Sequence, residues 1–272
     1  MPHFEAADGT RLFYEERGEG PPVLALAGLT RNSGDFDHVA PHLPCHLIRM
    51  DYRGRGQSDW ADPTTYTVPQ EAADAVALLD HLGLDRAAVL GTSRGGLIAM
   101  MLAATHKDRL SGVALNDIGP EIDPAGLKAI ESYIGRNPPQ KTHEEAALFR
   151  ARNWLHFKGV AQERWLHEVR NHYAETPDGL VVRYDPKLRV TVFENAQVQP
   201  APDLWPLFGA LHGLPLCLIR GANSDLLTKV TWDRMRRLRH DAIAAEVPDR
   251  GHVPFLDEPQ AVHALQSWIA TL

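Results

Sequence analysis

One stretch of the sequence, Gly91–Gly96 (GTSRGG), decides the fold. It follows the apolar run Ala87–Leu90 and leads into Gly95–Ala104, where small and apolar residues predict a buried helix. A G-x-S-x-G motif between a buried strand and a buried helix predicts a sharp turn that presents Ser93 as a nucleophile. Glycines relieve the crowding in such a strained turn, and the start of the helix brings free N–H groups to the serine.

Strand-like and helix-like segments alternate on both sides of this turn. The expected strands and helices, in chain order, are Val23–Ala27, Leu47–Met50, Val68–Leu82, Ala87–Leu90, Gly95–Ala104, Leu110–Leu115, Pro215–Arg220, Thr228–Arg239, Ala242–Val247 and Pro259–Leu272. Continuous apolar strands separated by helices are typical of a parallel sheet covered on both faces. The sequence therefore predicts an α/β fold with a doubly wound, mostly parallel sheet.

The alternation stops between residues 119 and 206. Aromatic residues gather in this segment, and prolines interrupt it at Pro138-Pro139, Pro177 and Pro186. We interpret it as an inserted, mainly helical segment. The α/β core would then consist of residues 1–118 and 207–272, with the insertion at 119–206.

Composition excludes several classes of protein. The formal net charge of -7 disfavours nucleic acid as a partner, because phosphate binding depends on clustered Lys and Arg. No apolar run is long enough for a membrane span and no secretory signal is visible, so a cytoplasmic protein without membrane contact is expected. Neither metal-ligand spacing nor a phosphate-binding G-x-x-x-x-G-K-[ST] motif is present, so no metal and no other cofactor is implied.

A serine hydroxyl needs a base within hydrogen-bonding distance to act as a nucleophile. The sequence contains 14 histidines, and His252 differs from the rest by its position. It lies between the last predicted strand and the last predicted helix, in a loop that a parallel sheet delivers to the same edge as Ser93. We therefore predict that His252 is the general base.

The base needs an acidic residue that accepts its Nδ1–H and stabilises the imidazolium. Asp225 follows the next-to-last strand and gives the chain order Ser, Asp, His that is expected for this architecture. Asp117 is the alternative, because it follows the strand that ends at Leu115 and its loop reaches the same edge. Asp225 is favoured as the catalytic acid, with Asp117 left open.

Hydrolysis at a carbonyl also requires two donors for the developing oxyanion. The backbone N–H of Arg94, directly after the nucleophile, is one candidate. The N–H of Leu29, in the loop after Val23–Ala27, is the other.

These residues together resemble the α/β-hydrolase superfamily, and more narrowly its bacterial enol-lactone hydrolases, carboxylesterases and carbon–carbon bond hydrolases. The similarity covers nearly the whole chain and includes the Gly28 loop, the D-x-R-G-x-G-x-S sequence at Asp51–Ser58, the Gly91–Gly96 turn, Asp225 and Gly251-His252. It implies a core sheet of about eight strands and a helical cap over the active site, formed by residues 119–206.

The sequence departs from the family pattern at three positions. Ala27 stands where many relatives have a histidine before the glycine of the oxyanion loop. Asp225 lies four residues after Gly221, where many relatives place the acid three residues after the glycine. Arg94 follows the nucleophile where an apolar residue is common, and its guanidinium could either face the pocket or pack along the helix.

The resemblance and the candidate triad predict a serine hydrolase that cleaves a small carboxylic ester or lactone through an acyl-enzyme. The alternatives on the same triad are a carbon–carbon bond hydrolase, an acyltransferase or a perhydrolase. A non-catalytic ligand-binding protein is a further alternative, because fold alone does not establish function. The expected partner is a small-molecule substrate, and the sequence is compatible with a homodimer.

Overall fold

A computed structural model describes residues 2–194 and 202–272. The strands within these ranges are β1 (His3–Glu5), β2 (Arg11–Arg17), β3 (Pro22–Leu26), β4 (His46–Met50), β5 (Ala87–Thr92), β6 (Leu110–Asn116), β7 (Tyr173–Thr176), β8 (Gly179–Val182), β9 (Leu216–Gly221) and β10 (Ile243–Val247). The α-helices described there are α1 (Val68–His81), α2 (Arg94–Thr105), α3 (Pro124–Tyr133), α4 (His143–Asn153), α5 (Gln162–His172), α6 (Trp205–Gly209), α7 (Lys229–Leu238) and α8 (Pro259–Ile269). Each element predicted from the sequence is found within a few residues of its expected bounds.

Eight of the strands form one sheet, in the order β1-β2-β4-β3-β5-β6-β9-β10. Strand β2 runs antiparallel to β1 and β4, and the remaining neighbours are parallel. The predicted α/β class with a mostly parallel sheet of about eight strands is therefore confirmed. Because the sheet is parallel, the chain leaves β3, β5, β6, β9 and β10 at the same edge, and the loops after these strands meet there.

Both faces of the sheet are buried, which explains the continuous apolar strands. In β3, Leu24 and Leu26 face the hydrophobic layer that contains α1 and α2. Val23 and Ala25 face the opposite layer, where Trp268 of α8 packs. The pleat sends successive side chains to opposite faces, so consecutive residues of a central strand such as β3 meet apolar layers on both sides.

The segment between β6 and β9 contains α3, α4, α5, the antiparallel hairpin β7–β8 and α6. The hairpin was not expected in a mainly helical segment. Trp165 and Val169 of α5 and Ala147 of α4 pack with Leu180 of the hairpin and with Phe255, which follows His252 in the core. This small cluster joins the segment to the loop that carries His252. The division of the chain at residues 118/119 and 206/207 stays a prediction.

The D-x-R-G-x-G-x-S motif forms the loop after β4. The buried Asp51 carboxylate accepts hydrogen bonds from the backbone N–H groups of Ser33 (2.6 Å) and Gln57 (2.8 Å). Gly56 has a φ of 55°, and a Cβ at this position would overlap the Asp51 carboxylate. The motif therefore has a structural role, because it fixes the conformation of the loop after β4 beside the sheet edge.

Across the described parts of the chain, no helix is both long and apolar enough to span a bilayer.

Candidate active site

Ser93 lies in a strained turn between β5 and α2. Its backbone has φ 49° and ψ −110°, a conformation that costs free energy for a residue with a side chain. The glycines around it are required by close packing. A Cβ at Gly95 would overlap the carbonyl oxygen of Leu26, and one at Gly96 would overlap the side chain of Ile118. The sharp turn predicted from the G-x-S-x-G motif is therefore present.

Ser93 and His252 meet at the carboxyl edge of the sheet. The Ser93 Oγ lies 2.9 Å from His252 Nε2, and His252 Nδ1 lies 2.8 Å from Oδ2 of Asp117. Asp117 is fully buried, while His252 is slightly exposed. A carboxylate accepts the Nδ1–H of histidine, which leaves Nε2 free to accept the proton of the serine hydroxyl. The three side chains can thus serve as nucleophile, base and orienting acid.

The structure corrects the choice between the two candidate acids. Asp117, the alternative, contacts His252, and the favoured Asp225 does not. Asp225 is partly exposed, and its carboxylate forms no hydrogen bond or ion pair with the described residues. Its backbone lies against Gly126 of α3, in the segment inserted between β6 and β9. The family's preferred chain position for the acid was misleading in this sequence.

Asp117 is held in place by the ends of two strands. It follows β6 directly, and its backbone N–H donates to the carbonyl of Ile219 in β9 at 2.8 Å. Oδ1 accepts from the N–H of Gly221 at 2.8 Å, and Oδ2 accepts from the hydroxyl of Ser224 at 2.6 Å. With His252, the buried carboxylate therefore has three hydrogen-bond donors, as a buried charge requires.

Ser224 is the supporting residue that the sequence reasoning missed. It lies three residues after Gly221, where many relatives carry the acid, and its hydroxyl reaches the carboxylate from that place. The unusual spacing of four residues from Gly221 to Asp225 was the available signal. It showed only that this loop departs from the family pattern, and the hydrogen bond between Ser224 and Asp117 is seen in the structure alone.

The two residues whose backbone N–H groups are predicted to bind the oxyanion, Leu29 and Arg94, both lie close to Ser93. Leu29 lines the cavity above the serine, and Arg94 is the first residue of α2. A Cβ at Gly28 would lie 3.9 Å from the Ser93 Cβ, so this loop packs directly against the nucleophile. Among the described residues, no group accepts a hydrogen bond from either amide. Their role as the oxyanion hole stays a prediction.

The Gly28 loop is anchored although the histidine common in relatives is replaced by Ala27. The Ala27 carbonyl accepts hydrogen bonds from the Gly95 N–H at 3.1 Å and from the Tyr52 hydroxyl at 2.9 Å. These two bonds join the loop to the nucleophile turn and to the loop after β4.

The Arg94 side chain packs away from the cavity. Its Nε donates to Glu71 of α1 at 2.7 Å, and Glu71 also pairs with Arg55 at 2.8 Å. Burial favours the neutral form of Glu71, but the two guanidinium groups outweigh it and hold the pKa of this carboxyl below its usual value. Of the two orientations left open for Arg94, the structure has the one in which the side chain packs along the helix, against Glu71, and does not face the cavity.

A cavity of about 350 Å³ lies over Ser93 and His252, between the sheet edge and the inserted segment. Its wall combines aromatic and cationic side chains. Tyr184 is one of the aromatic residues, and burial raises the pKa of its phenol to about 12, so it is neutral at physiological pH. The cationic residues are Arg31, Arg136 and Arg150, and none of the described residues that line the cavity is Asp or Glu.

Asp35, Glu168 and His172 have ligand atoms within 4.8 Å of one another, a grouping that could in principle hold a metal ion. The carboxylates already bind a cation, because Arg31 contacts Asp35 at 2.5 Å and Glu168 at 2.8 Å. A divalent ion would have to displace or approach this guanidinium. We therefore interpret the cluster as an ion-pair network that joins the loop after β3 to α5.

The fold and this site define a class of protein. A model of the α/β-hydrolase fold matches residues 21–259, so the chain belongs to the α/β-hydrolase family. The protein is a hydrolase.

Two similar proteins have named activities. A 3-hydroxybutyrate-oligomer hydrolase of Cupriavidus necator is 36% identical over 270 residues, covering 94% of this chain and 92% of the relative. A 2-(acetamidomethylene)succinate hydrolase of Mesorhizobium japonicum is 26% identical, covering 87% of this chain and 83% of the relative. Among solved structures, an α/β hydrolase from Novosphingobium aromaticivorans is 35% identical with a TM-score of 0.92, and covers 100% of this chain and 98% of that one.

Proposed function

We propose that the protein hydrolyses a small carboxylic ester or lactone through an acyl-enzyme on Ser93, with His252 as general base and Asp117 as the acid that orients it. The observation that supports this proposal is the hydrogen-bond chain Ser93 Oγ–His252 Nε2 (2.9 Å) and His252 Nδ1–Asp117 Oδ2 (2.8 Å). A non-catalytic binding protein has no need of this geometry.

In the first half of the reaction, the Ser93 Oγ attacks the substrate carbonyl carbon while His252 Nε2 accepts the hydroxyl proton. The backbone N–H groups of Leu29 and Arg94 would bind the tetrahedral oxyanion, and each such donor is typically worth about 3–4 kcal/mol. When the intermediate collapses, the bond to the alcohol oxygen breaks and His252 gives its proton to that oxygen. In a lactone the alcohol stays attached to the acyl group.

In the second half, a water molecule attacks the acyl-enzyme carbonyl and His252 accepts one of its protons. The bond to Ser93 Oγ then breaks, and His252 returns the proton to the serine. The Asp117 carboxylate stabilises the imidazolium that forms in each half-reaction. The products are a carboxylic acid and an alcohol.

The comparisons favour an ester over a carbon–carbon bond. The relative that is 36% identical is named for oligomers of a hydroxy acid, and such oligomers are joined by ester bonds. Another relative, 28% identical, is named a methyl ester esterase. An ester or lactone is therefore the first substrate class to test.

Turnover of p-nitrophenyl esters of increasing acyl length, with simple lactones alongside, tests the proposal. Wild type is compared with Ser93→Ala and with Ser267→Ala, a control serine on α8 outside the cavity. We expect Ser93→Ala to fall to background and Ser267→Ala to match wild type. Substantial ester hydrolysis by folded Ser93→Ala would exclude Ser93 as the nucleophile.

A phosphonate probe separates the remaining alternatives. Labelling of Ser93 without turnover of any ester or lactone would indicate a competent nucleophile with another substrate, and would favour a carbon–carbon bond hydrolase. If Ser93 is not labelled and no ester or lactone is turned over, the result would favour a binding protein.

A further inference from the structure

Arg150 of α4 stands out among the buried arginines. Only 5% of its surface is exposed, and it lines the cavity over Ser93. The other arginines buried to a similar degree all pair with carboxylates; these are Arg49, Arg53, Arg55, Arg220 and Arg239. Within the described residues, Arg150 pairs with none. A buried charge without a counter-ion is unfavourable unless something else neutralises it.

The contacts of Arg150 fix its orientation and leave its buried Nη1 without a partner among the described residues. Nη2 donates to Nδ1 of His172 at 2.7 Å and to the Tyr173 hydroxyl at 3.2 Å. The guanidinium lies 4.7 Å from the ring of Trp154 and 5.3 Å from that of Tyr173. Nη1 is buried and has no hydrogen-bond partner among the described residues. The side chain is therefore preorganised, with one strong donor unused.

The nearby carboxylates are already paired with other arginines. Asp35 and Glu168 approach the far side of His172, and both bind Arg31. Glu168 also contacts Arg164 at 3.2 Å. His172 separates this network from Arg150 and accepts its N–H as a neutral imidazole. Burial, followed by the charges of Arg31 and Arg150, holds the pKa of His172 well below its usual value.

We propose that the substrate carries a free carboxylate and that Arg150 binds it in the cavity, so that the enzyme prefers anionic esters to neutral ones. This inference rests on the proposed function, because it places the carboxylate and the ester in one cavity with Ser93. The exposed Arg136 and the lack of acidic side chains among the described lining residues add to the positive potential of the cavity. The planar guanidinium suits a planar carboxylate.

Matched pairs of substrates test the preference. Mono-p-nitrophenyl adipate is compared with p-nitrophenyl hexanoate for a carboxylate on the acyl side, and 3-acetoxypropanoate with its methyl ester for a carboxylate on the alcohol side. We expect wild type to favour the anion of at least one pair by about 10- to 100-fold in kcat/KM, the range for a hydrogen bond to a charged group. If the neutral member reacts as well in both pairs, the inference is overturned while the proposed function stands.

Arg150→Met should lower kcat/KM for the anionic member much more than for the neutral member and so abolish the preference, while Arg150→Lys should restore part of it. Arg152→Met is the matched control, because Arg152 is exposed on the same helix and does not line the cavity. An equal loss for neutral and anionic esters in folded Arg150→Met would assign Arg150 a structural role and contradict the inference.

Binding to Ser93→Ala supplies a readout that does not depend on turnover or on the folding of Arg150→Met. Adipate should stabilise Ser93→Ala in thermal unfolding, the neutral diamide should not, and Arg150→Lys in the Ser93→Ala background should weaken the effect of adipate. If adipate has no effect and wild type shows no anionic preference, Arg150 is not a carboxylate site. If adipate stabilises Ser93→Ala but no ester is hydrolysed, the proposed function fails and the carboxylate site remains.

Discussion

The hydroxyl of Ser224 donates a 2.6 Å hydrogen bond to Oδ2 of Asp117, the same oxygen that accepts from His252 Nδ1. Ser224 comes from the loop after β9, and Asp117 from the end of β6. The loop after β9 therefore supports the carboxylate that contacts His252 without supplying it. This division of roles makes the contributions of the two loops separable by mutation.

Asp117→Asn should lower kcat of ester hydrolysis by about 10³- to 10⁴-fold with little change in KM, because an amide cannot hold His252 in the tautomer that accepts the serine proton. Asp225→Asn is the matched control and should retain kcat within a few-fold. Steady-state kinetics of the two variants decide between the carboxylates. A severe loss in Asp225→Asn with Asp117→Asn active would return the acid role to Asp225.

Ser224→Ala should lower kcat by roughly tenfold and leave KM nearly unchanged. It removes one of three donors to a buried carboxylate, and a hydrogen bond to a charged group is worth about 1.5–3 kcal/mol. Ser224→Thr keeps the hydroxyl and should recover most of the rate. The proposed support role would be excluded if Ser224→Ala were as active as wild type.

Gly95→Ala should destabilise the fold, because its Cβ would overlap the Leu26 carbonyl oxygen. Overpacking against rigid backbone costs about 3 kcal/mol, equivalent to a fall of roughly 6–12 °C in Tm for a chain of this size. Gly209→Ala is the control, since a Cβ at this position would have no atom within 4 Å and its φ is not positive. Thermal unfolding followed by circular dichroism measures both, and equal Tm values would contradict the packing argument.

His172 should make the free energy of unfolding depend on pH. Its native pKa is lowered by burial, then by the charges of Arg31 and Arg150 and by His167, and the opposing effect of Glu168 is too weak to offset them. The unfolded chain therefore binds a proton that the native state does not, as pH falls below about 6.5. The native state should lose up to about 1.4 kcal/mol per pH unit from this group.

Denaturant unfolding of wild type and His172→Gln between pH 7.5 and 5.5 checks this expectation. The variant should show the shallower decline of stability at acid pH, and His240→Gln, at an exposed site, should follow wild type. Identical slopes for all three proteins would mean that His172 titrates alike in the native and unfolded states.

The sequence was sufficient to predict the sheet and the Ser93–His252 pair, because both depend on local patterns. Apolar strands buried on both faces are continuous in sequence, and the glycines around Ser93 are fixed by contacts with Leu26 and Ile118. The acid was harder to predict. Asp117 and Asp225 both follow parallel strands, and only the packing of the strand ends determines which carboxylate reaches His252.

The cavity wall was beyond sequence reasoning for a similar reason. Arg150 lies on a helix whose other arginine, Arg152, is exposed, and no local pattern distinguishes the two. Its burial depends on Trp154, His172 and Tyr173, which come together only when the segment folds over the sheet.

The use of Asp117 changes how the candidate triad is assembled along the chain. Ser93 and Asp117 are 24 residues apart and belong to one β5–α2–β6 unit, whereas His252 is 135 residues beyond Asp117. Only the contact of His252 therefore closes a long loop of the chain, and the larger entropic cost of loop closure belongs to that contact. Two of the three groups share one supersecondary unit, so segments inserted between β6 and β10 can change in length without altering the spacing of nucleophile and acid.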